Sequence, residues 1–204
     1  MTRTESNRDP DAPAWARAAA EALRKAHAVG LVREHPGSYE PDAADVRRMA
    51  ARARAAGVGI RAADRVLAES SSPDDVIRGL RELSASLDES PLPKTEWSRL
   101  LPVLGRDLLA PLTETSPSSV ARYARGERDT PDPVNARLHT LALIVGDLTG
   151  AYNDIGIRRW FERRRTALDG RSPAQVLAGA WDPDADRPRR VRELARALTA
   201  SPAT

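Results

Sequence analysis

Apolar positions along this 204-residue chain recur every three or four residues, the spacing of one helix face, and nowhere alternate long enough to suggest several paired strands. The pattern predicts a first helix from Pro13 to about Glu34, with Trp15, Leu23, Ala26 and Leu31 to one side and the HPGSYEP stretch of 35–41 as its stop. A second starts near Asp42, passes through Val46, Met49 and Ala53, and ends at Gly57 to Gly59. A third covers Ile60 to Glu69. The Ser70 to Pro73 run ends it and opens a fourth over 73–88, where Val76, Ile77, Leu80, Leu83 and Leu87 keep helical spacing.

Two prolines in the polar run DESPLPKT, Asp88 to Thr95, favour extended backbone and mark a linker. Beyond it the spacing predicts helices over Trp97 to Leu104, Arg106 to about Thr113, Pro117 to Arg125, Pro133 to about Tyr152, Ile155 to about Arg165, Pro173 to Leu177 and Arg189 to Leu198. Nothing repeats at a period of about 20 to 50 residues. The expected fold is all-α, a helical bundle with a helix-turn-helix and a small C-terminal helical domain. Three regions are expected: an N-terminal helical extension over 1–90, a helix-turn-helix region with its long following helix over 95–150, and a C-terminal domain over 151–204.

The helix-turn-helix rests on LAPLTETSPSSVARYARGER, Leu109 to Arg128. Two short helices crossing at a steep angle need a small residue at the crossing, here Ala110, and apolar residues beneath, here Leu109 and Leu112 from the first helix and Val120 and Tyr123 from the second. Ser116 is a strong N-cap, Pro117 suits the first helical position, and Gly126 suits a left-handed stop. Burying Val120 and Tyr123 turns Ser118, Ser119, Arg122 and Arg125 to other faces. Arg122 has the fork to read guanine through two hydrogen bonds, and the serines fit a base edge or a phosphate. Thr115, Ser116, Arg106, Arg125 and Arg128 complete the expected DNA contacts, chiefly to phosphate. Two residues weigh the other way: Pro111 inside the first helix, and Glu114 at the turn position where glycine is common.

Charge changes the picture only locally. The 32 basic and 29 acidic side chains leave +3, and all the basic ones except Lys25 and Lys94 are arginine, the better fork for phosphate and guanine. From Lys94 to Asp129 six basic residues face five acidic ones, a net of +1, which favours a rival reading: a protein-inhibitor or oligomerisation module whose helix-turn-helix no longer binds DNA. The absence of cysteine removes disulfides, thiolate catalysis and cysteine-ligated metal. The opening MTRTESNRDPDAP has no apolar signal region, and no stretch approaches the roughly eighteen apolar residues of a membrane span, so a cytoplasmic protein is expected.

Apart from the last helix, the densest basic block lies in GIRRWFERRRTALDGRSPAQVLAG, Gly156 to Gly179. Arg158, Arg159, Arg163, Arg164, Arg165 and Arg171 against Glu162 and Asp169 give six minus two, or +4, fit for a solvated face, phosphate or an acidic partner. Ile157, Trp160 and Phe161 form the apolar side. This block resembles the toxin-binding domain of Xre/MbcA/ParS-type antitoxins, chiefly through Arg159-Trp160 and Ala167 to Pro173, and the likeness runs from about Trp97 to about Leu198. Arg163 to Arg165 stand where that family often has a proline-asparagine pair, and Asp169 stands in place of a glycine. The resemblance implies a homodimeric autorepressor that binds its own double-stranded operator and neutralises a RES-domain, NAD-degrading toxin. In such proteins the C-terminal domain and tail occupy the toxin's cleft. Some relatives regulate transcription with no toxin, and an N-terminal extension without a recognised match fits that variant, as an oligomerisation or second DNA-contacting module.

No enzyme, metal or cofactor site is expected. Gly57 to Ala62 matches a relaxed dinucleotide pattern but follows an alanine- and arginine-rich helix where a strand is needed. Asp182, Asp184, Asp186 and Glu193 echo calcium-loop spacing, with Arg187 where glycine is obligatory. His27, His35 and His139 are scattered, His139 reading as a surface or core-edge residue of the long apolar helix. The Leu141 to Leu148 stripe reads as core or dimer seam.

Overall fold

A computed structural model describes residues 12–33, 41–149 and 151–200, and those residues are all-α, with no strand among them. The helices are α1 (Ala12–Ala28), α2 (Ala43–Ala55), α3 (Ile60–Leu67), α4 (Pro73–Glu89), α5 (Pro93–Leu112), α6 (Pro117–Ala124), α7 (Asp132–Thr149), α8 (Asp154–Glu162), α9 (Pro173–Val176) and α10 (Asp186–Ala200), with one 3-10 turn at Thr166–Leu168. None among the described residues is long and apolar enough to cross a membrane.

Local chemistry explains most starts. Ser72, Ser116 and Ser172 each precede a proline, and each hydroxyl accepts the N–H three residues on, from Asp75, Ser119 and Gln175 at 3.1 to 3.2 Å. Each cap satisfies an orphan donor, and the proline supplies a residue with no N–H to satisfy. Asp42 and Asn153 do the same for α2 and α8.

The buried residues form two clusters. Alanines of α1 and α2 with Met49, Val66, Leu80, Leu83 and Leu87 build the first, from 18 to 87. Trp97, Leu100, Leu104, Leu109, Leu138, Phe161 and Val191 anchor the second, from 97 to 195. Of the run Asp88 to Thr95 expected as a linker, only 90–92 lies outside helices, between α4 and α5. The Leu141 to Leu148 stripe is core. Helix α7 serves both clusters, Leu143 facing the first and Leu138, Leu141, Ile144, Val145 and Leu148 the second. A helix buried on nearly every side reads as continuously apolar, which is why its pattern shows no clear single stripe. Gly146 lets α1 pass close, since a Cβ there would lie 2.3 Å from the Cβ of Ala28.

The first helix departs from expectation. It ends at Ala28, short of Glu34, because Gly30 takes φ +77° and Leu31 N–H folds back onto Ala26 O at 2.8 Å. The expected stop around His35 to Glu40 lies outside the described residues, as do the opening 1–11. Gly57 and Gly59, both at positive φ, join α2 to α3 in a turn between helices, with no strand leading into it.

Candidate nucleic-acid interface

Helix α5 is two helical arms joined at a kink. Gly105, at φ +73° and ψ 164°, breaks it between Leu104 and Arg106, where two separate helices were expected. The second arm, Arg106 to Leu112, carries Pro111 in its last turn and stays helical to its end. A proline there forfeits a bond to the exposed Asp107 carbonyl region and little else, so the arm is short but not disrupted. Its end is a Schellman turn. Thr115 N–H bonds Ala110 O at 2.9 Å and Glu114 N–H approaches Pro111 O at 3.4 Å, which puts Glu114 at φ +54° in the position that ordinarily selects glycine.

Ser116 then opens α6. Its oxygen takes the Ser119 N–H at 3.1 Å and lies within 3.0 Å of both the Ser118 and Ser119 hydroxyls. The far end closes on a second Schellman turn, Gly126 N–H to Tyr123 O and Glu127 N–H to Arg122 O, both 3.0 Å, with Gly126 at φ +69°. Beneath the two arms Leu109, Ala110, Leu112, Val120 and Tyr123 are buried as expected. Tyr123 stacks on Trp97 at 5.8 Å, and Trp97 Nε1 donates to Thr130 Oγ1 at 2.9 Å. The second helix is thereby tied to the start of α5 and to the loop before α7.

The turn is held from behind by residues that sequence reasoning missed. Arg137 of α7, with its side chain almost buried, pairs with Glu114 at 2.6 Å and donates to Trp181 O at 2.9 Å and Thr113 O at 3.4 Å. Trp181 Nε1 donates to Leu112 O at 2.9 Å and Gly179 N–H to Pro111 O at 3.1 Å. These bonds satisfy carbonyls left over at a helix end, which would otherwise need water or a cap. A lone tryptophan in the acidic run after Gly179 was the available signal.

The expected DNA-contacting side chains differ in exposure and in freedom. Arg106, Ser116, Ser118, Arg122, Arg125 and Arg128 are exposed, and Thr115 and Ser119 half-buried. The Arg122 side chain makes no hydrogen bond or ion pair among the described residues. Arg125 does: its Nε and Nη2 donate to both carboxylate oxygens of Glu127 at 2.5 and 3.0 Å. That hydrogen bond, reinforced by the charges of Arg125 and Arg122, holds the Glu127 carboxyl below its usual range. Arg128 lies over the Tyr123 ring, 5.7 Å from its centre.

The arginines of 158–171 are likewise divided. Arg165 packs on Trp160, 4.7 Å from the ring centre, and burial pushes its guanidinium pKa down. Its N–H bonds Arg171 O at 3.0 Å, closing the loop around the 3-10 turn, so it does structural work. Arg158 spreads over the Gly105 bend, where a Cβ would sit 3.1 Å from its Nη1, and reaches Glu162 at 3.9 Å. Arg159, Arg163, Arg164 and Arg171 are exposed. Trp160 and Phe161 are buried, edge to face at 5.3 Å.

His139 is not a surface residue. It is buried, its Nδ1 2.6 Å from Glu96 Oε1 and its Nε2 2.9 Å from Asp88 O. A carbonyl only accepts, so Nε2 carries a proton, and a carboxylate opposite Nδ1 calls for a second. Burial would lower the imidazole pKa, but the Glu96 hydrogen bond and charge, with the Asp88 carbonyl, raise it. The Asp88 side chain bridges Lys25 of α1 and Arg192 of α10, both at 2.5 Å. Burial works against its ionisation, yet these two cations hold its carboxyl low. Asp147, facing Arg196 at 3.4 Å and Arg192 at 3.8 Å, is instead raised by burial. These groups join the first cluster, the second and the last helix. Neither a protein-family model, nor a curated protein, nor a solved structure matches this chain.

Proposed function

We propose that the protein is a sequence-specific DNA-binding repressor whose α6 enters the major groove. The observation that carries this reading is Arg122: exposed on the last turn of a helix capped at both ends and fixed from behind, its side chain in no hydrogen bond or ion pair among the described residues. The planar fork of a guanidinium loses less freedom per hydrogen bond than an ammonium on forming a bidentate contact to guanine, and α6 carries Ser118 and Arg122 toward the same side. Arg106 and Arg128 flank it as phosphate contacts. A homodimer reading paired half-sites follows from the way such helices address DNA. The resemblance of 97–198 to Xre/MbcA/ParS-type antitoxins adds a second activity to the proposal, neutralisation of a RES-domain toxin through the exposed Arg159, Arg163, Arg164 and Arg171.

One observation favours the rival reading, a protein-inhibitor module without DNA. Arg125 is engaged by Glu127, which neutralises one of the few cations beside α6. Fluorescence anisotropy of the full chain on a duplex from upstream of its own reading frame, against a scrambled duplex at two salt concentrations, separates the two. The repressor reading expects preference for the upstream duplex and a steep loss of affinity with salt. Equal weak binding to both duplexes, or none, favours the inhibitor.

A further inference from the structure

A cavity of about 620 Å³ opens where the turn after α1 meets the first turns of α5 and α8, far in sequence from the α6 surface. Its wall is built by a close approach. Gly30 sits so near α5 that a Cβ would fall 2.5 Å from Thr95 O, and Thr95 Oγ1 donates to Val29 O at 2.6 Å. Arg33, Lys94 and Arg99 line the space against a single carboxylate, Asp154, a local balance of three minus one, or +2. None of the three cations forms an ion pair or side-chain hydrogen bond among the described residues.

Arg99 is the unusual member. It is half-buried, and its Nε is fully covered yet has no hydrogen-bond partner among the described residues. Buried donors are nearly always satisfied, so a covered Nε–H on a cation without a partner is costly. Burial lowers its pKa, with only Asp154 opposing. Lys94 and Arg33 stand exposed beside it, and a guanidinium fork with two neighbouring cations suits a doubly charged anion.

We propose that this cavity binds the phosphoryl group of a small phosphorylated molecule, with Arg99 as the half-buried fork and Lys94 and Arg33 as rim charges. The volume falls in the range of small-molecule sites, roughly 300 to 1,000 Å³, and exceeds what a bare phosphate fills. The assignment does not depend on whether α6 binds DNA.

The test is isothermal titration of the full chain with pyrophosphate at constant ionic strength, beside Arg99→Gln, the rim variant Lys94→Glu, and Arg61→Gln on the distant exposed face of α3 as control. The proposal expects saturable one-site binding, at least about tenfold weaker in Arg99→Gln and in Lys94→Glu, and unchanged in Arg61→Gln. Because Lys94 is exposed, its variant stays informative if Arg99→Gln fails to fold. Absent or non-saturating pyrophosphate binding overturns the proposal, as does equal binding in the wild-type protein and Lys94→Glu. Lys94→Glu weakening duplex binding while pyrophosphate goes unbound would reassign the cations to a nucleic-acid backbone and overturn it as well.

Discussion

The turn that orients α6 depends on a glutamate in a conformation that favours glycine, and replacing Glu114 by glycine and by alanine separates its two roles. Both variants lose the carboxylate that pairs with Arg137 at 2.6 Å. With Glu114 half exposed, at 47 %, that pair is worth about 0 to 1 kcal/mol, and its loss is common to both. They differ in the backbone. At φ +54° an L-residue is strained by roughly 1 to 2 kcal/mol relative to glycine, while glycine gives back about 0.4 to 1 kcal/mol through the freer unfolded chain. Glu114→Gly should therefore exceed Glu114→Ala in stability by about 0.5 to 1 kcal/mol, which at this chain length is roughly 2 to 4 °C in Tm for each kcal/mol. Against the parent, the glycine variant should be close to neutral and the alanine variant destabilised. Urea unfolding of the three proteins side by side measures it. Alanine equal to or above glycine would refute the left-handed turn.

The buried His139 gives a pH signature. Its folded pKa is raised above the unfolded value of about 6.5, so its contribution is fully present below that pH and lost as pH rises through the folded value. Tm should fall across that alkaline window in the parent, and His139→Gln should remove that part of the slope; an unchanged slope would contradict a charged imidazole. Glu96→Ala leaves the His139 cation buried without its partner and should destabilise by roughly 3 to 5 kcal/mol, read by urea unfolding, with a loss under about 1 kcal/mol contradicting the pair. On DNA, Glu127→Gln frees Arg125 and removes a negative charge, so it should tighten binding to every duplex and steepen the salt slope by about 0.9, one phosphate contact. Unchanged affinity would leave Arg125 outside the interface.

What was legible in the sequence is what local chemistry decides. Ser116-Pro117 and the Ser70 to Pro73 run marked helix starts because a cap and an N1 proline act within four residues. Gly105 separated two expected helices, and Gly126 stopped α6, because a left-handed residue needs no distant partner. The end of α1 was missed for the opposite reason: Gly30 turns there against Thr95, and nothing near Gly30 announces a contact 65 positions away. Glu114 drew notice as an unusual turn residue, but Arg137, Trp181 and Gly179, which hold that turn, come from two later segments with no periodic signal. His139 sat within an apolar run, and only its meeting with Glu96 and Asp88 separates a buried ion pair from a core-edge residue. Arg125 was readable more finely, since Glu127 two positions on is a neighbour in any turn.

The central claim is that Arg122 reads a base, and the most direct measurement is the affinity of Arg122→Ala for the upstream and scrambled duplexes by fluorescence anisotropy at two salt concentrations. A base-reading Arg122 should lose roughly 1 to 3 kcal/mol on the upstream duplex when truncated, with little change on the scrambled one and relaxed preference between them. An equal loss on both would make Arg122 a phosphate contact, and no loss on either would contradict α6 as the element that reads DNA.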